Sequence, residues 1–220
     1  MATHEEAVAL IHSDFVDQNI EAARQAVRGF VKTAEEYPNP RFIIARYTAA
    51  IAVNFTDWMG KTYPWARHEL AQHALKDNLR CEQMQDHVGM LLNFAAQANA
   101  SPSEEHYMHV AVEVGEIRLL MSKVEDAGIV GLTILAILET MSEVFIPVLE
   151  KLGEQCGVSD FEYTRIHGVA DVAHSKAFVA ALKAEWSMGY TYHEGVVNNA
   201  VWVTVALLRR IFQDTHATTV

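Results

Sequence analysis

The stretch His167-Gly-Val-Ala-Asp171-Val-Ala-His174 decides how the rest of the chain is interpreted. In a helix, steps of four and three residues keep His167, Asp171 and His174 within roughly 60° of arc, on one face. The residues between them are small or apolar, so the line lies on an apolar face. A buried carboxylate is costly unless it is paired, hydrogen-bonded or bound to a metal. Two imidazoles and a carboxylate suit iron, manganese or zinc, and a polar core helix with a buried Asp–His pair is the alternative.

Length and composition indicate one globular domain that covers residues 1–220. Half of the 220 residues are hydrophobic, which is enough to build a substantial core. The net charge of −11 argues against nucleic acid and anionic membrane surfaces as partners. Cys81 and Cys156 form neither a disulfide framework nor a CxxC pair, and the N-terminus lacks the basic-then-apolar order of a secretory signal. We therefore expect a cytoplasmic protein.

Helix start and stop signals recur along the chain, and no segment alternates between apolar and polar residues as a half-buried strand does. Asn39 can cap a helix that opens with Pro40, and Gly157 and Gly189 can each end one. Capping boxes are predicted at Ser101-Pro-Ser-Glu104 and Ser159-Asp-Phe-Glu162. The sequence predicts an all-α bundle of about seven helices, between an N-terminal extension at 1–12 and a frayed tail at 215–220. They cover about 13–36, 40–60, 64–94, 102–121, 125–155, 160–188 and 191–214, and the third helix can break near 83–86.

Further candidate ligands lie on two other predicted helices. Glu139 interrupts the apolar stretch Leu135-Ala-Ile-Leu-Glu139-Thr-Met, where an uncompensated carboxylate would be very costly. Its alternative partner is an arginine across the bundle. Glu82 follows Asp77-Asn-Leu-Arg-Cys, and His87 precedes an apolar run. A pair of iron or manganese ions needs about six protein ligands, and carboxylates usually supply the bridge between the ions.

Taken in order, Asn78-Leu-Arg-Cys-Glu82, His87, Glu139 and the line from His167 to His174 resemble the haem-oxygenase-like diiron oxidases. That family belongs to a wider group with the TenA thiaminases and the pyrroloquinoline quinone synthases. The resemblance covers most of the chain and implies a seven-helix, haem-oxygenase-like bundle without haem. It also implies two Fe(II)/Fe(III) ions bridged by a carboxylate, with the three carboxylates as catalytic groups. The implied ligands are Glu82, His87, Glu139, His167, Asp171 and His174.

The same resemblance implies an enzyme that uses O2 as co-substrate. We expect it to oxidise a small amino-acid-like or amine substrate, by N-oxygenation, desaturation or oxidative C–C cleavage, in specialised metabolism. An external reductant and a homodimer belong to this expectation. Five arginines are available to bind a substrate carboxylate: Arg46, Arg67, Arg80, Arg118 and Arg165.

The spacing of Glu82 and His87 is shorter than in many members of that family. In a continuous helix a step of five residues places two side chains about 140° apart, which is too far for one metal ion. The helix must therefore break between residues 82 and 87 if both bind metal. Otherwise another residue replaces His87, and His68 and His73 are the nearest substitutes.

Three alternatives remain open at this point. A second line, His109, Glu113 and Glu116, has the same spacing but is explained as a solvated acidic face. A TenA-like thiaminase or aminopyrimidine hydrolase would need a nucleophilic cysteine in the pocket. A metal-free oxidase like the pyrroloquinoline quinone synthases, or a non-catalytic helical metal-binding protein, would consume no O2 through iron. The sequence has no Glu-x-x-His and no His-Glu-x-x-His, so it lacks the ferritin-like and zinc-metalloprotease patterns.

Overall fold

The structure is a computed structural model that describes residues 4–123, 125–188 and 194–213, with the backbone alone for residues 4–13. Of the described residues, 85% are helical and none lies in a strand, which confirms the all-α prediction. The helices are α1 (His4–Phe30), α2 (Pro40–Ile51), α3 (Asn54–Thr62), α4 (Glu69–Met84), α5 (His87–Gln97), α6 (Glu104–Met121), α7 (Ala127–Cys156), α8 (Glu162–Ser187) and α9 (Glu194–Phe212).

Helix α7 is the centre of the bundle. Every residue from Ala127 to Ser142 is buried, and the helix ends at Gly157 in the left-handed conformation, as predicted. It packs most extensively against α8 and also contacts α1, α2, α3, α6 and α9. By length and composition α7 could cross a membrane, but 89% of its most apolar window is buried in the bundle. We therefore interpret it as the core helix around which the others pack.

Seven predicted helices become nine in the described part of the chain because two of them are interrupted. The predicted helix 40–60 is divided into α2 and α3 by a turn at residues 52–53. At this turn the side chain of Asn54 donates to the carbonyl of Ala50 at 2.9 Å, a bond that competes with the helical ladder. The second interruption separates α4 from α5 and is described with the site.

Several predicted helix ends are corrected by capping bonds. The first helix ends at Phe30 instead of residue 36, because Thr33 and Glu36 form a separate capped turn at Ala34–Glu36. At the other end it extends back to His4, into the predicted extension. Asn39 caps α2 as predicted. The predicted ends near Gly189, Thr191 and Asp214, and the tail 215–220, lie outside the described residues.

The two predicted capping boxes are displaced by two residues. The cap of α6 is Ser103, whose partner is His106, instead of Ser101 with Glu104. Helix α8 begins at Glu162 after Phe161, and the N–H of Glu162 donates to Asp160 instead of to Ser159. Both helices remain in their predicted places, so these shifts leave the order of the bundle unchanged.

Replacing Gly128 by alanine should destabilise the protein by about 1–3 kcal/mol, since overpacking a rigid contact has that cost. A Cβ at Gly128 would overlap the backbone carbonyl of Trp65, which cannot move aside as a side chain can. In Gly29→Ala, the control, the new methyl meets nothing within 4 Å, so helix propensity should leave stability unchanged or raise it by about 0.5–1 kcal/mol. Urea denaturation compares the two variants, and equal stabilities would contradict the close packing of α7.

Candidate metal centre

A break in the helix between residues 84 and 87 brings His87 to Glu82. Asp86 adopts the left-handed conformation, with φ of 51°, and its carboxylate accepts the N–H of Gly89 at 3.1 Å as the cap of α5. The chain therefore turns at Gln85–Asp86, and α5 starts in a new direction with His87 as its first residue. His87 Nδ1 lies 2.8 Å from Glu82 Oε1. The predicted break is confirmed, and the chain does not need His68 or His73 as substitutes.

The first cluster consists of Glu82, His87 and His167. Each can offer one ligand atom such that the three atoms lie within 4.8 Å of one another. Glu82 and His87 are buried and His167 is nearly so. The second nitrogen of His87 lies 3.0 Å from the side-chain oxygen of Gln85, which fixes the ring from the turn itself.

The second cluster consists of Glu139, Asp171 and His174, whose ligand atoms also lie within 4.8 Å of one another. Glu139 is 5% exposed and pairs with no arginine among the described residues, so the alternative partner proposed from the sequence is wrong. Instead the amide of Asn78 donates to Glu139 Oε1 at 2.8 Å. His174 Nδ1 lies 3.8 Å from the same oxygen.

A hydrogen bond joins the two clusters. His167 Nδ1 lies 3.0 Å from Asp171 Oδ1, so the line on α8 supplies one residue to the first cluster and two to the second. All six residues predicted as ligands therefore converge in two adjacent groups of three. Their role as ligands remains a prediction, but the geometric convergence on which it depends is present.

The site is electrostatically frustrated without a cation. Burial raises the pKa of Glu139 well above its ordinary value, and the charge of Asp171 raises it further, while the hydrogen bond from Asn78 opposes the shift. Burial lowers the pKa of His174. For His167 burial opposes protonation, but the hydrogen bond to Asp171 outweighs it and raises the pKa. Three carboxylates in one apolar core thus have too little positive charge around them.

Two imidazole nitrogens show that the residues fit a metal. His167 Nε2 and His174 Nδ1 are buried, and no described residue hydrogen-bonds to either. A buried polar atom without a partner needs an explanation, and a cation bound beside the carboxylates supplies one. Nitrogen and carboxylate oxygen donors without thiolate suit iron or manganese.

Two cavities meet at the clusters. The inner one is enclosed mainly by apolar side chains, with Tyr47 and Tyr163 as its neutral polar groups besides Thr56 and Ser142. The hydroxyls of Tyr47 and Tyr163 lie 2.8 Å apart, and the ring of Tyr163 lies 4.4 Å from that of His167. The outer cleft is open to solvent between α1, α7 and α8. Both cavities are lined by Glu139, Ser142, His167 and Asp171, so the site lies in the wall between them.

Other candidate residues lie outside the clusters. His68 caps α4, and His73 is exposed and pairs with Asp77. Of the second line, Glu113 is buried and accepts from Arg210 at 2.9 Å, so its interpretation as part of a solvated face is wrong. His109 contacts Arg46, and Glu116 is exposed.

Two residues support the site that sequence reasoning does not identify. Asn78 belongs to the motif that precedes Glu82, but its spacing of one helical turn gives no indication that it donates to Glu139. Gln85 contacts His87 only because the chain turns at this point, and sequence spacing alone gives no signal for that contact.

The cysteines are poorly placed for nucleophilic catalysis. Neither Cys81 nor Cys156 lines the two cavities at the site. Burial raises the pKa of both thiols, which disfavours the reactive thiolate. The geometry therefore gives no support to a thiaminase.

A family model described as iron-containing redox enzyme, of the haem-oxygenase-like group, matches residues 44–197. This span holds most of α2, all of α3 to α8, and all six residues of the two clusters. No curated protein and no solved structure matches the chain.

Replacing His87 by alanine should remove one iron per chain and leave the fold intact, because His87 belongs only to the first cluster. His73→Ala is the matched control, since His73 is an exposed histidine of the neighbouring helix. The measurement is iron content after anaerobic loading with Fe(II) and desalting. Unchanged iron content in His87→Ala would remove this residue from the site.

Replacing Glu139 by glutamine should stabilise the metal-free protein at neutral pH. With its pKa raised in the folded state, Glu139 costs no stability at a pH below the unfolded value and costs more as pH rises above it. A tenfold difference in proton affinity between the folded and unfolded states corresponds to about 1.4 kcal/mol. A gain of at least about 1 kcal/mol is therefore expected at pH 7, and almost none near pH 4.

Thermal unfolding of the metal-free proteins at several pH values measures this gain, with Glu143→Gln as control. Glu143 lies one turn further along α7 but is half-exposed and pairs with Arg24. Added Fe(II) should reverse the order by stabilising the wild type more than Glu139→Gln. A Glu139→Gln protein less stable than wild type at pH 7 would contradict the electrostatic argument.

Proposed function

The chain belongs to the haem-oxygenase-like family of iron-containing redox enzymes, and from this membership and its paired clusters we propose that it is a non-haem diiron oxidoreductase that uses O2. The observation that carries the proposal is the pair of carboxylate–imidazole triads joined through His167 and Asp171. A protein with one structural metal ion would need only one of them.

Each triad would hold one iron. Glu82, His87 and His167 would bind the first, and Glu139, Asp171 and His174 the second. Three carboxylates offset most of the charge of two ferrous ions, which explains why so many acids are buried together. When bound, the two irons supply the electrons that reduce O2 and the oxidising power that the substrate meets.

The chain's own residues orient the ligands and exclude water. Asn78 holds one oxygen of Glu139, and Gln85 holds the far nitrogen of His87. Such outer contacts fix the orientation of metal-binding side chains. Apolar side chains from α2, α3, α5 and α7 close the inner cavity against solvent: Ile51, Phe55, Val88, Leu91, Leu138 and Phe145. The site is therefore dry on this side and accessible from the outer cleft.

The cavities favour a small substrate with one apolar and one charged part. None of the five arginines proposed from the sequence lines either cavity, so that expectation is not supported. The outer cleft instead contains three cations and three carboxylates close to the site: Arg24, Lys176, Lys183, Asp17, Glu21 and Glu143. Mixed charge at the cleft and an apolar interior suit an amino-acid-like or amine substrate. N-oxygenation, desaturation and oxidative C–C cleavage are the reactions we propose for it.

Oxygen uptake tests this function. Wild-type protein loaded anaerobically with two equivalents of Fe(II) should consume O2 when mixed with aerated buffer, and one substrate in a panel of amino acids and amines should increase that uptake. Glu139→Gln and His174→Ala should slow it at least tenfold, while Glu143→Gln should match the wild type. Wild-type uptake no faster than that of free Fe(II), with or without substrates, would favour the non-catalytic metal-binding protein.

A further inference from the structure

Helix α6 has two apolar faces, and only one is covered. Its inner face is buried in the bundle and includes Val110, Val114 and Ile117. On its outer face Met108, Val112 and Leu119 are 67%, 62% and 66% exposed. Gly115, between the last two, is also exposed, and a Cβ there would meet nothing within 4 Å. Such a continuous exposed apolar stripe is unusual on a soluble monomer and marks an interaction surface.

The stripe has the geometry of a helix-packing seam. Its residues, Met108, Val112, Gly115 and Leu119, follow steps of four, three and four, which keep them within roughly 60° of arc. Steps of this kind place side chains where a second helix can interlock with them. Gly115 provides a hole in the seam, and Val112 provides a knob of suitable size.

We propose that this seam joins two copies of the chain through antiparallel α6 helices. With a two-fold axis between residues 113 and 114, Met108 faces Leu119 of the second copy, and Val112 faces Gly115. The same pairs then recur on the other side of the axis, so the stripe is complementary to itself, as an isologous interface requires.

Charge complementarity selects the antiparallel orientation. In this register Glu104, at the start of α6, faces Lys123 of the second copy, just beyond the end of its α6, and both residues are exposed. The positive end of one helix dipole also lies beside the negative end of the other. A parallel pair would instead place Glu104 beside its own copy, in a chain whose net charge is already −11.

An exposed tryptophan extends the same surface. Trp202 on α9 is 47% exposed and lines a cleft together with Glu113, which lies at the proposed axis. Helices α6 and α9 pack side by side, so the indole borders the seam. Tryptophan is among the residues that contribute most to binding at interfaces. The dimer surface thus comprises the α6 seam and the adjoining part of α9, away from the metal-binding residues.

Sedimentation velocity tests the interface. The wild type should be a dimer at micromolar concentration, and Val112→Glu should weaken association at least 100-fold, because it buries a charge near its symmetry copy. Val53→Glu is the control, since Val53 is equally exposed, at 58%, but lies in the turn between α2 and α3. Circular dichroism checks that each variant is folded. A monomeric wild type, or a folded Val112→Glu dimer of unchanged affinity, would overturn the proposal.

Two further experiments test the register. Glu104→Lys and Lys123→Glu should each weaken the dimer, and the double variant should restore it. Oxidising a mixture of Met108→Cys and Leu119→Cys proteins should link residue 108 to residue 119, as peptide mass spectrometry can show. Met108→Cys alone should not link to itself, because its two copies lie about 16 Å apart along antiparallel helices. Efficient self-linking of Met108→Cys would indicate a parallel pair and contradict the register.

Discussion

Three carboxylates buried beside one another constrain the rest of this structure. Glu82, Glu139 and Asp171 come from three different helices and lie in an otherwise apolar core. Without a cation they repel one another and lose their hydration, which costs far more than any hydrophobic residue of the same size would. A fold that keeps such a cost gains something from it, and two metal ions are the gain that these donors fit.

The break at Asp86 is the local feature that makes the site possible. A regular helix through residues 82–87 would point His87 away from Glu82. The left-handed conformation of Asp86 is itself unfavourable for a residue with a side chain, but aspartate tolerates it better than most and here also caps the following helix. Because that cap requires Gly89 to lack a Cβ, the neighbouring sequence is adapted to the turn. Local backbone strain and metal-site geometry are thus parts of one arrangement.

The sequence predicts the architecture and the six converging residues well, and it fails where side chains act across the bundle. Helical spacing is enough to place His167, Asp171 and His174 on one face, and the five-residue step from Glu82 is enough to require a break. No spacing rule indicates that Asn78 would hold Glu139, or that Arg210 would pair with the buried Glu113, because these partners come from helices far apart in the chain. The interruption before Asn54 escapes prediction for a similar reason, since a polar side chain competes with the backbone there.

Diffraction from crystals loaded with Fe(II), collected above and below the iron absorption edge, tests the central claim most directly. We expect two anomalous peaks per chain, one among Glu82, His87 and His167 and one among Glu139, Asp171 and His174. A single peak shared by all six residues, or iron bound elsewhere on the chain, would contradict the two-ion arrangement.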